Sequence, residues 1–430
     1  MRNLLLLLLL HFSIAQAEIV HRIVINGVIN PAATEYIIKS IDRAEEQKAS
    51  ALLIELDTPG GLMESMHRIV KAIQGSAVPV IVYVYPDGAR AASAGVFITY
   101  AAHIAAMAPS TNIGSAHPVF SGGAGMPQDT SGSETMMEKV TNDAVAKIKA
   151  MAEKRSRNAQ WAEQAIVESE NITASEALKM NVIDYIAPTA DSLLAMIDGK
   201  EITLDNGKHE ILHTRDAEII TYEMTMRQRM LDLISNPNIA YILMMIGIYG
   251  LMFELYNPGS VLPGVLGAIS LILGLYAMQT LPVNYAGLLL IIFALIMFLL
   301  EIKIPSYGLL TIGGVVSLIM GTVMLFDSPF PFLRVSWEVI AGVTVITVLF
   351  FVFAIGMALK IQHKRPATGA EGMIGEIGVV TEKINPEGRL KIHGEIWKAH
   401  SDETINKGQK VEVISCDDRN LVLKVKKIDN

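Results

Sequence analysis

The sequence predicts three folded parts: an α/β domain with a mostly parallel sheet, a helical membrane domain and a small β-barrel. The first part alternates short apolar runs with helical patterns up to about residue 188, the second carries apolar spans between about 239 and 359, and the third shows short strand patterns after residue 372. The 430 residues are 51% hydrophobic and have a mean hydropathy of +0.40. Because this is too apolar for an ordinary soluble protein, we expect part of the chain in lipid.

Charge and cysteine content exclude several classes of function. The net charge is −8 and the pI is about 5.7, whereas a nucleic-acid-binding surface needs a basic face. Cys416 is the only cysteine, which excludes an intrachain disulfide and a metal site built from cysteines. No carboxylate or histidine cluster has the spacing of metal ligands. We therefore expect no metal, no cofactor and no nucleic-acid partner.

The first 17 residues have the pattern of a signal peptide. A charged start, Met1-Arg2-Asn3, precedes a short apolar run over 4–10 and the small-residue site Ala15-Gln16-Ala17. The apolar run is too short to span a bilayer comfortably. We expect cleavage before Glu18, which places the following domain outside the cytoplasm.

Residues 18–190 are predicted to form one α/β domain. Strand-length apolar runs alternate with helical patterns, and Pro31 is typical of the first turn of a helix. In such folds the functional loops follow the carboxyl ends of the strands. The predicted strands are 20–25, 51–56, 78–85, 104–107 and 181–186, and the predicted helices are 31–48, 62–74, 134–157, 161–169 and 174–180, with a further helix beginning beside Ser93.

Two stretches of the amino-terminal half differ from this alternation. Residues 121–133 are rich in glycine and serine and are predicted to be a mobile loop. Residues 191–237 are more polar and are predicted to connect the α/β domain to the membrane domain. Thr173 is predicted to cap the helix 174–180 together with Glu176, which explains this threonine more simply than a glycosylation site does.

Residues 238–360 are predicted to form a membrane domain with about five transmembrane helices. The first three apolar spans are short. The alternative is that one of them is re-entrant and does not cross the membrane. The basic residues Lys360, His363, Lys364 and Arg365 follow the last span and are expected in the cytoplasm. An odd number of crossings then agrees with an amino-terminal domain on the outer side. The spans are about 239–253, 262–278, 285–300, 309–326 and 339–359.

Residues 361–430 are predicted to form a small barrel of the OB type. Strand patterns occur at 379–384, 389–392, 411–414 and 421–425, with a turn at Asn385-Pro386-Glu387-Gly388. OB barrels often bind nucleic acid through stacked aromatic side chains, but Trp397 is the only aromatic residue here. The composition therefore favours a role in protein interaction or assembly.

Ser93, in the stretch 86–100, is the candidate for chemistry. The strand 78–85 ends at Pro86-Asp87-Gly88, and the residues beside the serine are small, so that a substrate backbone can approach the hydroxyl closely. A helix that begins there supplies free N–H groups and the positive end of its dipole. Such a serine is either a capping or packing residue or a nucleophile, and this stretch alone leaves both open.

Several motifs together resemble the long form of the NfeD family. The resemblance covers nearly the whole mature chain. It implies a Clp-like or crotonase-like serine protease domain, similar to signal-peptide peptidase A, ahead of a multi-span helical membrane domain and an OB-type β-barrel. The motifs are Asp57-Thr58-Pro59-Gly60-Gly61, Ala92-Ser93-Ala94-Gly95, the membrane spans and the barrel signature Gly388 with Gly394-Glu395-Ile396-Trp397-Lys398-Ala399.

The resemblance implies that Ser93 is the nucleophile and that backbone N–H groups form an oxyanion hole. The donors would be Gly61, together with Gly60, and Ala94. Fixed N–H donors stabilise the negative charge that develops on the former carbonyl oxygen, and glycine allows a backbone N–H to turn inward without a side chain in the way. The alternative is a Pro-Gly-Gly turn that only ends a strand.

A serine nucleophile needs a base, and two residues are candidates. The family is similar to signal-peptide peptidase A in using a lysine, which corresponds to Lys139 in Lys139-Val140-Thr141-Asn142. A lysine accepts a proton only in its neutral form, which requires apolar surroundings. His117, in Gly114-Ser115-Ala116-His117-Pro118, is the rival, either as the base or as a residue of the substrate groove. His67 and His103 have no such context and are expected at the surface or in packing.

The implied function is that of a membrane-anchored serine endopeptidase that cuts hydrophobic segments of membrane-associated proteins on the extracytoplasmic, periplasmic side. The implied partner and substrate is a stomatin-like, prohibitin-domain membrane protein, and the implied assembly is a homo-oligomer. A second hypothesis comes from another class: a catalytically vestigial scaffold that organises membrane microdomains with stomatin-like partners. The membrane spans and the cytoplasmic barrel fit either hypothesis.

Overall fold

The computed structural model of the chain describes residues 18–119, 130–256, 259–279, 281, 283–304, 306–326, 328, 331–362, 370–417 and 421–428. The predicted signal peptide 1–17, residues 121–129 of the predicted loop, and His363, Lys364 and Arg365 lie outside these ranges. The chain divides into two compact units. One comprises residues up to 297 with 311–346, and the other comprises 298–310 with the residues from 347 onward.

The amino-terminal domain is built on a parallel sheet, as predicted. Six strands lie in the order β11-β1-β2-β3-β5-β8, and all neighbours are parallel. In chain order the elements of this domain are β1 (Ile19–Asn26), α1 (Pro31–Glu46), β2 (Ala51–Asp57), α2 (Met63–Gly75), β3 (Val80–Val84), β4 (Arg90–Ala92), α3 (Ala94–Ala101), β5 (Ile104–Met107), β6 (Asn112–Gly114), α4 (Thr130–Lys154), α5 (Ala159–Val167), β7 (Asn171–Thr173), α6 (Ala174–Lys179), β8 (Tyr185–Ile186), α7 (Ala190–Ile197), β9 (Glu201–Thr203), β10 (His209–Ile211), β11 (Glu218–Thr221) and α8 (Met226–Ile234).

Both faces of the central strands are buried. Ile54 and Val82 belong to the core that includes residues of α1 to α5, whereas Leu53 and Ile81 belong to the core that includes residues of α7. Successive residues of a strand point to opposite faces, so a strand covered on both sides must be apolar throughout. This explains the apolar sequences of β3 and β5, whereas β2 carries one buried acidic residue, Glu55.

A second, three-stranded sheet beside Ser93 was missed in the sequence. It has the order β4-β6-β7, and each strand has only three residues, too few for a periodic pattern to develop. β4 leads directly into Ser93. The last residue of β7, Thr173, also caps α6 in a capping box with Glu176, which confirms the predicted cap.

Residues 191–237, predicted to be a connector, instead extend the α/β domain. β11 pairs in parallel with β1 and becomes the edge of the main sheet. α8 packs on α1, where Asp232 Oδ1 accepts a hydrogen bond from Asn30 Nδ2 at 2.7 Å and Arg227 binds both oxygens of Glu35 at 2.8 Å. The strands β9, β10 and β11 are short and partly exposed. Their polar composition does not have the apolar pattern from which strands are predicted. Similarly, the predicted strand 181–186 is reduced to the two residues of β8.

Arg157 holds the end of α3, the helix that begins after Ser93. One terminal nitrogen of its guanidinium donates to the carbonyl oxygens of Thr99, Tyr100 and Ala102 at 3.0–3.1 Å. The other pairs with Asp184 Oδ2 at 2.7 Å. Carbonyl groups at the end of a helix have no partner within the helix, so this buried cation satisfies them. The far end of α3 is thereby fixed to the end of α4.

We expect His103, between α3 and β5, to make the folding stability of this domain sensitive to acid. Its Nδ1 accepts a hydrogen bond from the Val80 N–H at 3.1 Å, and burial, with the nearby Arg155, Arg157 and Lys154, lowers its pKa to about 3. A histidine in the unfolded chain takes up a proton near pH 6.5, whereas the folded one does not until about pH 3. Stability is therefore lost as the pH falls below 6.5.

We expect the melting temperature of the full chain in detergent micelles to fall by about 3–6 °C per pH unit between pH 6.5 and 4 through this group. The variant His103→Asn keeps an acceptor for the Val80 N–H but does not titrate, so its melting temperature should depend less steeply on pH. His21, whose pKa is also lowered by burial, contributes to both proteins and serves as the common background. Equal slopes for the two proteins would contradict this assignment.

Five apolar helices follow the amino-terminal domain. By length and composition, two helical segments among the described residues are suited to cross a membrane, Pro237–Leu255 and Pro331–Val352, and three are shorter, Leu262–Met278, Tyr285–Glu301 and Leu309–Leu325. The helices are α9 (Pro237–Tyr256), α10 (Leu262–Met278), α11 (Tyr285–Lys303), α12 (Leu309–Leu325) and α13 (Trp337–Gln362).

The helical hairpins α9–α10 and α11–α12 are internal repeats that are offset by 47 positions. The pattern Gly-x-x-Ser-Leu-Ile-x-Gly occurs at 267–274 and again at 314–321. Glu254 and Glu301 occupy equivalent positions, and each accepts hydrogen bonds from a serine hydroxyl and a glycine N–H of the connection that follows it. The repeat can be recognised in the sequence alone, but it was not predicted from the sequence.

Equivalent glycines bring the helices of each hairpin together. A Cβ atom on Gly274 would lie 3.0 Å from the backbone of Met244, and one on Gly321 would lie 2.8 Å from the backbone of Gly287 and of Ile291. Ile291 lies 47 positions after Met244, so the two hairpins pack through the same register. Small residues at such contacts are typical of helix packing in lipid, where close backbone approach provides much of the attraction.

The carboxyl-terminal part is a closed barrel of five strands, which confirms the predicted small barrel. The first strand pairs with the second and the fourth, and the third is parallel to the fifth. The buried side chains, such as Leu390 and Val425, alternate with exposed charged ones. The strands are β12 (Ile377–Glu382), β13 (Glu387–Ile392), β14 (Glu395–His400), β15 (Lys410–Asp417) and β16 (Val422–Lys427).

Candidate active site

Ser93 has an unusual backbone conformation. Its φ is 53° and its ψ is −111°, in the sharp turn between β4 and α3. A residue with a side chain adopts this region only at a cost of about 1–3 kcal/mol, and such strain is concentrated at functional sites. The Ser93 side chain makes no capping hydrogen bond with α3, so the capping interpretation that the sequence left open is wrong. The turn instead leaves the hydroxyl half-buried, beside the start of a helix.

The double-glycine turn after β2 lies against Ser93. A Cβ atom on Gly60, whose φ is +114°, would be 2.6 Å from Ser93 Cβ and 3.1 Å from Ser93 Oγ. A Cβ atom on Gly61 would be 2.2 Å from the carbonyl oxygen of Ile29. Both positions therefore require glycine, Gly60 because of the serine itself and Gly61 because of the adjoining backbone.

The two glycines use their N–H groups differently. Gly60 N donates to Thr58 Oγ1 at 3.0 Å, so this N–H, expected as an oxyanion donor, is occupied by the threonine in this structure. The carbonyl of Gly60 and the N–H of Leu62 are both bound to the backbone of Ile29, at 2.8 and 2.9 Å. Because backbone groups alternate in direction along an extended segment, the N–H of the intervening Gly61 points away from Ile29.

Ser93 lies beside Gly60 of this segment. Thr58 is bound there to the strand β4, with its N–H on Arg90 O at 2.8 Å and its carbonyl on Ala92 N at 3.0 Å. The N–H of Ala94 is the first of α3 and has no acceptor within the helix. Among the described residues, no hydrogen bond occupies the N–H of Gly61 or of Ala94. These two residues line one cavity together with Ser93.

A cavity of about 130 Å³ contains Ser93, Gly61, Ala94 and His117. Its walls include apolar side chains from α2 and α3, among them Met63, Met66 and Phe97. This setting favours an apolar ligand next to the hydroxyl.

His117 is oriented by the backbone. Its Nδ1 lies 2.8 Å from the carbonyl oxygen of Ile166, and because a carbonyl only accepts, Nδ1 carries the proton. In the neutral ring the lone pair is then on Nε2. His117 thus lies in the same cavity as Ser93, in a form that can accept a hydrogen bond or a proton.

His67 also lines this cavity, contrary to the expectation that it is a surface or packing residue. Its Nε2 accepts a hydrogen bond from Lys147 Nζ at 3.4 Å, and burial together with the charge of Lys147 lowers its pKa. His67 follows Met63 by one turn of α2. This spacing is the feature of the sequence that could have predicted that both side chains line the same cavity. His103, in contrast, is a packing residue, as expected.

Lys139 lies on α4, one turn before Asp143. Asp143 and Ala144 line the cavity, but Lys139 does not, and its side chain is exposed. Asp143 is paired with Lys147 at 2.6 Å. The structure therefore brings Ser93, Gly60, Gly61, Ala94 and His117 together and leaves the Lys139 amine outside the cavity.

Among the residues that the structure describes, no group of histidine, cysteine and acidic side chains is arranged to hold a metal ion.

Three family models match successive parts of the chain. Residues 19–206 match the NfeD1b amino-terminal domain, residues 238–357 match the NfeD integral membrane domain, and residues 370–427 match the NfeD-like carboxyl-terminal, partner-binding domain. The matched ranges correspond to the α/β domain, the apolar helices and the barrel.

Relatives match over almost the full length. The membrane-bound protease PH1510 of Pyrococcus horikoshii is 38% identical, over 98% of this chain and 98% of its own. The membrane protein NfeD1b of Bacillus subtilis is 25% identical, over 95% of this chain and 93% of its own. Among solved structures, a lysine-to-alanine mutant of the 1510-N membrane-bound stomatin-specific protease, in complex with a substrate peptide, is 34% identical and covers 50% of this chain and 97% of its own, with a TM-score of 0.45. The three domain matches and the full-length similarity to PH1510 establish that the chain belongs to the NfeD family.

Proposed function

We propose that this protein is a membrane-anchored serine endopeptidase with Ser93 as its nucleophile. The observation that carries the proposal is the strained turn at Ser93, which holds the hydroxyl against the double-glycine turn inside a cavity. The assignment to a protease-like domain of the Clp type explains why the chain makes this strained turn at the start of α3. The full-length similarity to a relative named as a membrane-bound protease supports the same reaction class.

The oxyanion hole consists of the N–H groups of Gly61 and Ala94 in this proposal. Ser93 Oγ attacks the peptide carbonyl carbon, and the former carbonyl oxygen becomes negatively charged between these two donors. Removing one fixed donor of this kind typically costs a factor of about 10²–10³ in rate. Gly60 has a steric role. Because it has no side chain, it leaves room for the side chain of Ser93.

Lys139 is the proposed base, which makes the site a Ser–Lys dyad. The amine takes the proton of Ser93 Oγ during attack and returns it to the leaving amine, after which water hydrolyses the acyl-enzyme. α4 borders the cavity through Asp143 and Ala144, and Lys139 is one turn away on the same helix. A peptide bound between α4 and Ser93 would lie between the amine and the bulk solvent. His117, with Nε2 free to accept, is the alternative base and otherwise a residue of the groove.

The substrate is a hydrophobic segment of a membrane-associated protein in this proposal, which is supported by the apolar side chains of Met63, Met66 and Phe97 in the cavity wall. The partner is a stomatin-like, prohibitin-domain protein. This follows from the family resemblance and is supported by the match of residues 370–427 to a partner-binding domain. We assign the barrel to the OB type on its strand order, and we infer that the protein self-associates as Clp-type folds do.

The membrane domain crosses the bilayer five times in this proposal. Pro237, the first residue of α9, and Leu281 and Phe332, which precede α11 and α13, line one cavity together with residues of the amino-terminal domain. This supports placing these three helix starts on the same side. α10 and α12 then return the chain to that side, and α13 leaves it. The protease domain is accordingly extracytoplasmic and the barrel cytoplasmic, in agreement with the signal peptide and the basic residues after α13.

A reconstitution experiment separates the enzyme from the scaffold. The full chain and Ser93→Ala are each placed in liposomes with a stomatin-like protein, and both its cleavage and its co-purification are measured. We expect the wild type to cleave it, and Ser93→Ala to bind it without cleavage. If both proteins bind the partner and neither cleaves it, the enzyme proposal is wrong and the vestigial scaffold remains. If both cleave it equally, Ser93 is not the nucleophile.

A further inference from the structure

Two neighbouring cavities share a wall formed by Leu62 and Leu333. The first is the cavity of about 130 Å³ at Ser93. The second, of about 240 Å³, lies between the amino-terminal domain and the starts of the membrane helices, where Asn30 faces Leu281 and other residues of the membrane part. Leu62 and Leu333 line both cavities. A residue from the membrane domain is therefore part of the surroundings of Ser93.

Leu333 is held in place by the described residues of its own connection between α12 and α13, which are Phe326, Ser328 and residues 331–336. It ends a short 3-10 turn, Pro331–Leu333, and is only 7% exposed. Arg334 N donates to Pro331 O at 3.2 Å, and Arg334 Nε donates to the carbonyl oxygen of Ser328. Ser336 N donates to Asn238 Oδ1 at 2.8 Å, which ties the connection to the first turn of α9. The turn is thus fixed on both sides of Leu333.

The same connection is linked to the α/β domain through α8. α9 follows α8 closely in the chain, and α8 is bound to α1 by the pairs Asn30–Asp232 and Glu35–Arg227. On the opposite side of the wall, Leu62 directly follows Gly61, and its N–H is bound to Ile29 O at 2.9 Å. The wall therefore joins the glycine turn beside Ser93 to the membrane domain.

We propose that the short turn Pro331–Leu333, which precedes α13, is part of the active site, with Leu333 as a specificity-determining residue. This rests on the proposed protease function and specifies its substrate as an apolar peptide segment that reaches Ser93 from the membrane side. An apolar side chain next to the scissile bond contacts Leu333 and Leu62 at the shared wall. A polar side chain there loses water without gaining a hydrogen-bond partner, so it is rejected.

The test uses the full chain in detergent micelles and two fluorogenic peptides that differ only in leucine or serine beside the scissile bond. We expect Leu333→Ala to lower kcat/KM for the leucine peptide by about 10-fold, mainly through KM, and to change that for the serine peptide little. Leu333→Val should give a smaller shift in the same direction and replaces Leu333→Ala if that variant does not fold. Leu318→Ala removes an equally buried leucine of α12 that lines neither cavity, and it should leave the ratio of the two kcat/KM values unchanged.

The outcomes distinguish this inference from the proposed function. If Ser93→Ala abolishes cleavage while Leu333→Ala and Leu333→Val keep the wild-type ratio, the role of Leu333 is wrong and the protease remains. The same conclusion follows if Leu318→Ala shifts the ratio as much as Leu333→Ala does. If Ser93→Ala cleaves as fast as the wild type, the proposed function itself is wrong.

Discussion

Replacing Ser93 by alanine should reduce the rate of peptide cleavage by a factor on the order of 10⁶, as removal of a serine nucleophile does in other proteases. Without Oγ no acyl-enzyme forms, and only the N–H groups of Gly61 and Ala94 remain to stabilise an attack by water. The fold should be unaffected, because the hydroxyl does not cap α3 and the far end of that helix is held by Arg157. Initial rates on an apolar peptide, measured with the full chain in micelles, give the factor directly.

Ser115 provides a matched control for this substitution. It also has a positive φ of 53°, but it is exposed and does not line the cavity. Ser115→Ala should therefore cleave at a rate within about threefold of the wild type, since surface substitutions usually change energies by no more than about 0.5 kcal/mol. If Ser93→Ala keeps a rate comparable to that of Ser115→Ala, Ser93 is not the nucleophile.

Replacing Lys139 by alanine should reduce the rate of cleavage by about 10²–10⁴-fold, the usual contribution of a general base. Replacing His117 should cost less and should act mainly on KM, because we assign this ring to the groove. The comparison is informative because the structure places His117, but not Lys139, in the cavity of the free protein. Steady-state rates at several substrate concentrations separate kcat from KM.

Lys149 is the control for Lys139. It lies on the same helix and pairs with Glu163 at 2.5 Å, so Lys149→Ala removes a positive charge from α4 without touching the site. Its rate should stay close to that of the wild type. A large loss of kcat in His117→Ala together with nearly full activity in Lys139→Ala would assign the base to His117 and would overturn the Ser–Lys dyad.

The sequence predicted the parts of the fold whose signals are local. The strands β1 to β3, the start of α3 and the capping box of Thr173 each depend on residues close together in the chain. Ser93 and the double-glycine turn were located by motifs, but the hydrogen bond from Gly60 to Thr58 Oγ1, which removes Gly60 as a donor, required coordinates. Local patterns therefore identified the site without assigning every donor in it.

Features that depend on long-range contacts were missed. β4, β6 and β7 are too short for periodicity, and β11 is recognisable only by its pairing with β1, about 200 positions earlier in the chain. Leu333 lies in an irregular connection, so nothing local indicates that it reaches the cavity of Ser93. The repeat of α9–α10 in α11–α12 is different, because its signal is present in the sequence as two glycine–serine patterns 47 positions apart.

The reactive hydroxyl can be located by chemical labelling. The full chain is treated with a fluorophosphonate, digested, and analysed by mass spectrometry, with Lys139→Ala treated in parallel. We expect a phosphonyl adduct on Ser93 in the wild type, and little or none in Lys139→Ala over the same time. An adduct on another residue, or no adduct in a wild-type chain that still cleaves peptide, would contradict this expectation.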